Sequence, residues 1–303
     1  MPVSRRQFIV LSSLAVGSIP VARLRAWQTA SAPAGRFETI RRNVGYFTAK
    51  GGTIGWLVNG DAVVVVDTQY PDTARLCLDG LEQKSPRGVD LLFNTHHHGD
   101  HTGGNGVFRP KTKKIVAHAR VPELQKQFTN PNGPAAVVAD ATFDKVWSES
   151  AGDERLAARY FGPAHTSGDS IVHFERANVA HMGDLLFHEM HPFVDRGAGA
   201  SIRNWIAVLD TVVKELPEDT VFIAGHAKPG LSVTHDRKSL QRQRDYFDAV
   251  LSHVRKTIAA GSSKEEIAKL DALPGFDGYH SLPPRLTLSS VLGVAYDELT
   301  SNQ

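Results

Sequence analysis

The stretch Asn94-Thr95-His96-His97-His98-Gly99-Asp100-His101, which reads NTHHHGDH, places four histidines and an aspartate within six consecutive positions. Imidazoles this close together disfavour each other's protonation, because like charges repel at short range. Neutral imidazole and carboxylate are both common ligands of divalent metal ions. The stretch therefore predicts a metal site rather than a part of a hydrophobic core. Taken alone, it would also suit a solvated surface loop.

The histidine stretch follows a predicted strand over 90–94, and three further candidate ligands also follow predicted strands. They are His165 after 156–161, Asp184 after 178–182 and His226 after 221–224. Strand ends at one edge of a layered sandwich converge, so residues distant in sequence can share one site. Individually, His165 and His226 would pass for ordinary loop histidines and Asp184 for a turn residue. Together with the histidine stretch they predict one site.

The histidine stretch itself predicts two metal subsites. His96 and His98 stand at i and i+2 of an extended segment, so they point to the same side, and His97 points away and is assigned a structural role. The chain then turns at Gly99, which aims Asp100 and His101 at a different point. One loop can therefore supply ligands to two neighbouring ions.

The pattern along the rest of the chain predicts an α/β fold with layers. Asn59-Gly60 is a strong hairpin signal, and the run of valines that follows it lacks alternation, as expected of a strand covered on both faces. Two βαβ-like stretches around a strand-rich middle favour a sandwich with helices outside. The predicted strands are 53–58, 62–67, 90–94, 114–118, 143–147, 156–161, 170–175, 178–182 and 220–224, and the predicted helices are 72–83, 103–108, 122–128, 202–216, 236–260 and 286–299.

Four motifs together resemble the metallo-β-lactamase-fold superfamily of metallo-hydrolases. They are His96-x-His98-x-Asp100-His101, Gly162-Pro163-Ala164-His165-Thr166-Ser167-Gly168-Asp169, Gly183-Asp184-Leu185-Leu186-Phe187 and Ala224-Gly225-His226. The resemblance covers about 37–230. It implies a four-layer αββα sandwich with a two-metal site, usually zinc, and other metals such as iron or manganese remain open. It also implies that His96, His98 and His165 hold the first metal, that Asp100, His101 and His226 hold the second, and that Asp184 bridges them.

The chemistry of such a site supports hydrolysis. Three neutral imidazoles leave a tetrahedral zinc ion one open position for water, and two neighbouring metals can share a hydroxide that attacks an acyl carbon. Asp100 could orient the nucleophile and pass a proton to the leaving group. Asp67, at the end of the valine strand, is a candidate acceptor for a ligand imidazole or a plain turn residue. His188 and His191 are candidates for a substrate pocket or for the protein surface.

Two positions at which the sequence differs from common patterns of this superfamily restrict the possible substrate class only in part. Many β-lactamases of this fold use a cysteine at the second metal, but the single cysteine, Cys77, reads as a buried residue of an upstream helix. One β-lactamase subclass lacks that cysteine, so β-lactams remain open. Lactonases of the superfamily commonly place a tyrosine where Phe187 stands, which weakens the lactone alternative. A small-molecule substrate with an acyl C–N or C–O bond is expected. An iron-dependent oxygenase and a non-hydrolytic metal-binding protein are the alternatives.

The N-terminus resembles an export signal. Ser4-Arg5-Arg6-Gln7-Phe8 precedes an apolar run over 9–20, which is too short to span a bilayer, and Ala32-Pro33-Ala34 offers a cleavage site. We expect transport by the twin-arginine machinery to the periplasm or the medium, with no stable membrane span in the mature chain. A disordered basic tail is the alternative.

Charge and length complete the expectations. The formal charge is +2, and the first 34 residues hold four arginines and no acid, so their removal would lower it by four to about −2. A chain of that charge is not expected to bind nucleic acid. The predicted organisation is a signal peptide over 1–34, a catalytic domain over 35–232 and a helical C-terminal extension over 233–303 that packs on the same domain. Nothing in the pattern predicts an oligomeric state.

Overall fold

The computed structural model describes residues 35–128 and 135–301. The predicted signal peptide over 1–34 and the loop predicted over 130–134 both lie outside these residues. Among the described residues, none of the helices combines the length and the apolar character that a bilayer crossing requires.

The first sheet contains seven strands within the described residues, and they stand side by side in chain order. They are β1 (Arg36–Arg41), β2 (Val44–Thr48), β3 (Ile54–Val58), β4 (Val63–Val66), β5 (Val89–Asn94), β6 (Thr112–His118) and β7 (Ala141–Phe143). The strands from β1 to β4 are antiparallel, and those from β4 to β7 are parallel. The predicted hairpin is present. Val58 pairs with Val63, and the Asn59 side chain accepts hydrogen bonds from the backbone amides of Asp61 and Ala62.

The second sheet orders its six described strands β15-β13-β11-β10-β9-β8, and β12 pairs with β14 separately. These strands are β8 (Val146–Ala151), β9 (Glu154–Arg159), β10 (Ile171–Phe174), β11 (Val179–His181), β12 (Phe187–His188), β13 (Val221–Ile223), β14 (His226–Ala227) and β15 (Thr234–His235). The helices are α1 (Pro71–Lys84), α2 (Gly99–Thr102), α3 (Asn105–Phe108), α4 (Arg120–Phe128), α5 (Ile202–Glu215), α6 (Arg237–Ala259), α7 (Lys264–Ile267) and α8 (Leu288–Thr300).

The predicted four-layer αββα sandwich is confirmed by how β4 packs. Val64 and Val66 belong to the apolar layer between the two sheets, whereas Val63 and Val65 pack in the layer beneath α1. All four valines are buried, which explains why the strand shows no polar alternation. On the far side, α5, α6 and α8 cover the second sheet with a third apolar layer that includes Trp205. The helical C-terminal region therefore shares a core with the sandwich.

The structure differs from the sequence predictions at three places. The segment 143–147, predicted as one strand, is divided between β7 and β8, which belong to different sheets, so the chain crosses the sandwich at Asp144 and Lys145. Strands β1 and β2 had not been predicted, because β1 is an edge strand with a largely solvated face and its apolar residues show no continuous run. The helix predicted over 103–108 is α3, which begins only at Asn105, and a separate short helix, α2, precedes it from Gly99 to Thr102.

Candidate metal centre

The candidate ligands meet at one edge of the sandwich because each follows the end of a strand. The extended chain after β5 carries His96 and His98, and α2 begins at Gly99, which turns the next two side chains in another direction. The loops after β9 and β11 bring in His165 and Asp184. His226 opens β14, just beyond β13, which is parallel to β11. The expected convergence of these strand ends is what the structure shows.

One group of donor atoms is formed by His96, His98, His165 and Asp184, which all lie within 4.8 Å of one another. His165 Nε2 is 2.9 Å from His98 Nδ1 and 3.4 Å from Asp184 Oδ2. His96 Nε2 is buried, lies 3.8 Å from the same carboxylate oxygen and has no hydrogen-bond partner among the described residues. A buried nitrogen without a partner is costly unless a ligand is bound to it.

A second group is formed by Asp100, His101 and His226, also within 4.8 Å of one another. His226 Nε2 lies 3.1 Å from Asp100 Oδ2 and 3.4 Å from His101 Nε2. His101 is completely buried, whereas the Asp100 and His226 side chains are 23% and 20% exposed. The second group therefore opens to solvent on the side of Asp100.

Asp184 stands between the two groups and turns one oxygen to each. Its Oδ2 faces His96 and His165, whereas its Oδ1 lies 3.0 Å from His101 Nε2 and 3.4 Å from His226 Nε2. Two ligands on one zinc ion, with bonds of about 2.0–2.2 Å, are separated by roughly 3.3–3.6 Å in a tetrahedral arrangement. The donor distances scatter around that value, so the residues present fit a pair of metal ions that share this carboxylate.

The hydrogen bonds behind the imidazoles set which nitrogen faces the centre. Asp67 Oδ2 lies 2.8 Å from His101 Nδ1, so Asp67 occupies the position expected of an orienting carboxylate. His165 Nδ1 donates to the Phe193 carbonyl at 2.7 Å. Asp195 Oδ2 lies 3.0 Å from His98 Nε2, which leaves His98 Nδ1 toward the centre. Such partners fix the ring orientation and the tautomer of a metal-binding histidine.

Two glycines allow the backbone to approach these side chains closely. A Cβ atom at Gly225 would overlap Asp184 Oδ1, and one at Gly52 would overlap the His101 ring. Thr53 N donates to the Gly225 carbonyl at 2.9 Å, so the two glycine-containing loops are joined. The centre is thus packed against bare backbone, and any larger residue at either position would displace a candidate ligand.

Burial and neighbouring charges lower the pKa values of two histidines in the first group and raise those of two histidines in the second. Burial lowers the pKa of His165 to about 4 and that of His96 well below its ordinary value. Burial also opposes the charged form of His226, but the carboxylates of Asp184 and Asp100 raise its pKa to about 9. The same balance, dominated among the charges by Asp184, raises the pKa of His101. Despite burial, the neighbouring imidazoles lower the pKa of Asp184.

A cavity of about 570 Å³ opens over the second group, and Asp100, Asp184 and His226 line it. Phe187 also lines it, with its ring stacked on His226 at 5.3 Å between ring centres. The buried Gln243 of α6 holds this segment: its Nε2 donates to the Leu185 carbonyl, and its Oε1 accepts from the Phe187 amide. The C-terminal region therefore positions the chain next to Asp184.

The other histidines proposed for a pocket do not line this cavity. His188 stacks on His235 at 3.7 Å between ring centres. His191 is buried in the helical layer, where its Nδ1 lies 2.8 Å from the Tyr246 hydroxyl, so neither a pocket nor the protein surface describes it. His97, assigned a structural role, is buried but lines a neighbouring cavity together with Asp195.

Asp195, Gln243 and Arg285 lie at the site but were not predicted from the sequence. Asp195 lies in the loop that was expected to cover the metals, and an acid in that loop was the available signal. Gln243 and Arg285 carried no signal, because their positions depend on how the C-terminal helices pack.

A family model described as the metallo-beta-lactamase superfamily matches residues 48–226, which include every candidate ligand. The chain belongs to the metallo-beta-lactamase superfamily. This membership confirms the resemblance seen in the motifs. Its curated relatives include proteins named as hydrolases, and the chain itself carries a His/Asp cluster suited to metal binding, whose metal the fold does not identify.

Similar proteins include curated relatives and solved structures. The 2,4-dinitroanisole O-demethylase subunit alpha of Nocardioides sp. (strain JS1661) is 30% identical over 134 residues, which make up 43% of this chain and 40% of that protein. The hydroxyacylglutathione hydrolase of Pelagibacter ubique (strain HTCC1062) is 27% identical over 209 residues, or 65% of this chain and 78% of that protein. The chain therefore spans less than half the length of the first of these relatives.

Two solved structures share the fold. A sec-alkylsulfatase from Pseudomonas sp. superposes with a TM-score of 0.67 at 18% identity, covering 87% of this chain and 50% of that one. A metallo-beta-lactamase from Pontibacter korlensis gives a TM-score of 0.62 at 16% identity and covers 71% of this chain and 99% of that one. At such identities the likeness shows the fold alone.

Proposed function

We propose that the chain is a binuclear zinc hydrolase that opens an acyl C–N or C–O bond of a small molecule. The observation that carries this proposal is the division of the Asp184 carboxylate, with Oδ2 toward one imidazole group and Oδ1 toward the other. A single metal would leave one of these oxygens and one group without a role. Two ions explain both.

Each ligand has a place in this proposal. The first ion would be held by His96, His98 and His165, the second by Asp100, His101 and His226, and Asp184 would bridge them. When bound, the ions supply Lewis acidity and lower the pKa of a coordinated water. His101 and His226 hold the pKa of Asp100 below its ordinary value, against the desolvation that would raise it. Its carboxylate lines the cavity beside His226, and this position places it to accept a proton and carry it to a leaving group.

Zinc suits the donor set best among the metals considered. Five imidazoles and two carboxylates provide nitrogen and oxygen donors, and zinc binds both at short distances in tetrahedral or five-coordinate sites. The single cysteine, Cys77, is buried beneath the first sheet and offers no thiolate to the centre. Iron and manganese accept the same donors, so metal content is part of the test.

Support for an acyl substrate comes from relatives that are named hydroxyacylglutathione hydrolases. Phe187 offers the cavity no hydroxyl group, which favours a β-lactam or another acyl compound over a lactone that needs such an anchor. Ring type and leaving group are therefore what the experiment must decide.

The experiment is a substrate panel with parallel metal analysis. The purified protein is tested against a chromogenic β-lactam, lactones, thioesters and phosphodiesters, and bound metals are counted per chain. Hydrolysis of an acyl substrate with two zinc ions per chain supports the proposal. One iron per chain with oxygen uptake and no hydrolysis would identify an oxygenase instead, and two metals with phosphodiester turnover alone would contradict the acyl substrate.

We also propose that the protein works in the periplasm or outside the cell after twin-arginine export. Support for this comes from Arg5, Arg6 and the apolar run over 9–20. Replacing both arginines with lysine should retain the precursor in the cytoplasm, which fractionation would measure. Unchanged export of that variant would contradict the proposal.

A further inference from the structure

One wall of the cavity over the candidate metal centre is formed by apolar side chains that are not candidate metal ligands. Met190 and Phe193 come from the loop after β12, and Leu282 and Leu286 come from the segment before α8. Leu282 is 53% exposed. Met190 and Leu286 also pack in the helical core, whereas Leu282 projects from it. Apolar side chains that line a cleft favour a ligand with an apolar body.

Arg285 stands in the same segment and is part of the same cavity lining. It also lines a neighbouring cavity of about 710 Å³, and His98 and Gly99 are the only other described residues that line both. Its guanidinium carbon lies 5.4 Å from the centre of the Phe193 ring, an arrangement that favours a cation over an aromatic face. The charge is thereby held beside the apolar wall, where the two cavities meet.

No carboxylate neutralises Arg285 within the described residues, where its recorded contact is the Phe193 ring. The other stretches of the chain, 1–34, 129–134 and 302–303, contain no aspartate or glutamate. The second cation of the cavity, Lys50, differs, because it lies 3.8 Å from Asp72. His226 also lines the cavity but lies 3.1 Å from Asp100. Among the basic side chains of this cleft that the structure describes, Arg285 is therefore the one without a carboxylate partner.

We propose that Arg285 binds a carboxylate of the substrate while Leu282 and Leu286 pack against its apolar body. The planar guanidinium presents paired donors that match a carboxylate, and such charge-assisted bonds are stronger than neutral ones. The substrate class is then an acyl compound that is both anionic and apolar. This inference rests on the proposed function for the reaction, but its binding step can be measured separately.

The test compares octanoate with octan-1-ol, which share a chain length and differ in charge, by titration calorimetry on the zinc-loaded protein. We expect octanoate to bind the wild-type protein about tenfold more tightly than octanol. Arg285→Ala should weaken octanoate binding about tenfold and leave octanol binding unchanged, and Arg285→Lys should retain part of the preference. Arg255→Ala is the matched control, since Arg255 is an exposed arginine of α6 that does not line the cavity.

Turnover gives a second readout. p-Nitrophenyl hexanoate and the mono-p-nitrophenyl ester of adipic acid differ only in a terminal carboxylate, and Arg285→Ala should lower kcat/KM about tenfold for the charged ester alone. Octanoate binding that is unchanged in Arg285→Ala would overturn the proposal, because metal ions alone would then hold the anion. Equal binding of octanoate and octanol, or no binding of octanoate, would overturn it too. Arg285-dependent binding without any hydrolysis would contradict only the proposed reaction.

Discussion

The two donor groups that share Asp184 differ in the charge their histidines carry without metal. In the first group, burial lowers the pKa of His96 well below its ordinary value and that of His165 to about 4, which keeps these two imidazoles neutral. In the second group, carboxylates outweigh burial, and the pKa of His226 rises to about 9. Since a metal binds only neutral imidazole, the first group is ready for an ion at neutral pH, whereas the second must first release protons. The difference predicts two ions of unequal affinity.

The largest effect is expected where the groups meet. Asp184→Ala removes an oxygen from both sides, so bound metal should fall from two ions to at most one. Activity should fall by more than about a hundredfold, since even residues behind the ligands contribute roughly 10–100-fold. Metal analysis and turnover measure both. Asp79→Ala, on the exposed face of α1, is the control. Two ions retained in Asp184→Ala would contradict the shared carboxylate.

Lowering the pH should separate the groups next. Between pH 8 and pH 6, each proton that a metal must displace from a group with a pKa of about 9 lowers metal affinity about tenfold per pH unit. In the first group, His165, with a pKa of about 4, and His96, with a pKa well below its ordinary value, take up no proton in this range. As the pH falls at fixed free zinc, equilibrium dialysis should therefore show that the ion of the second group is released first. Simultaneous loss of both ions would contradict the expected difference between the two groups.

A matched pair of variants addresses each group through its orienting carboxylate. Asp67→Asn weakens the hold on His101, and Asp195→Asn weakens the hold on His98. Each should reduce the affinity of one ion by about 10–100-fold. The ion affected by Asp67→Asn should be the one lost first as the pH falls, and the ion affected by Asp195→Asn should be the other. Identical metal-binding curves for the two variants would show that the groups are not independent.

The smallest effect is expected at the edge of the second group. Phe187→Tyr adds a hydroxyl group beside His226, and one new hydrogen bond to a bound lactone should raise lactone turnover by about three- to tenfold. Phe193→Tyr, at another place in the same cavity, is the control. Lactone turnover that stays level in Phe187→Tyr would show that the missing hydroxyl does not limit this substrate.

What the sequence could predict was the part of the site that lies next to strand ends. His96, His98, Asp100 and His101 occupy one loop, and their alternate directions follow from backbone geometry. The buried β4 also followed from its unbroken run of valines. Local pattern carries this information, because each prediction concerns residues that are neighbours in the chain.

The parts of the site and of the fold that could not be predicted depend on contacts between segments that are distant in the chain. Asp195 reaches His98 across 97 positions, and Gln243 reaches Leu185 across 58. His191 is buried because α6 places Tyr246 against it, which nothing in its own loop indicates. The division of 143–147 between two sheets was equally hidden, since both halves have strand-like composition.

Whether two ions lie side by side on Asp184 can be measured by X-ray absorption of the zinc-loaded protein, with metal counted on the same sample. We expect two zinc ions per chain with a zinc–zinc distance of about 3.5–4 Å and an average ligand shell rich in imidazole. One ion per chain at saturating zinc, or two ions without a zinc–zinc distance in that range, would contradict this expectation.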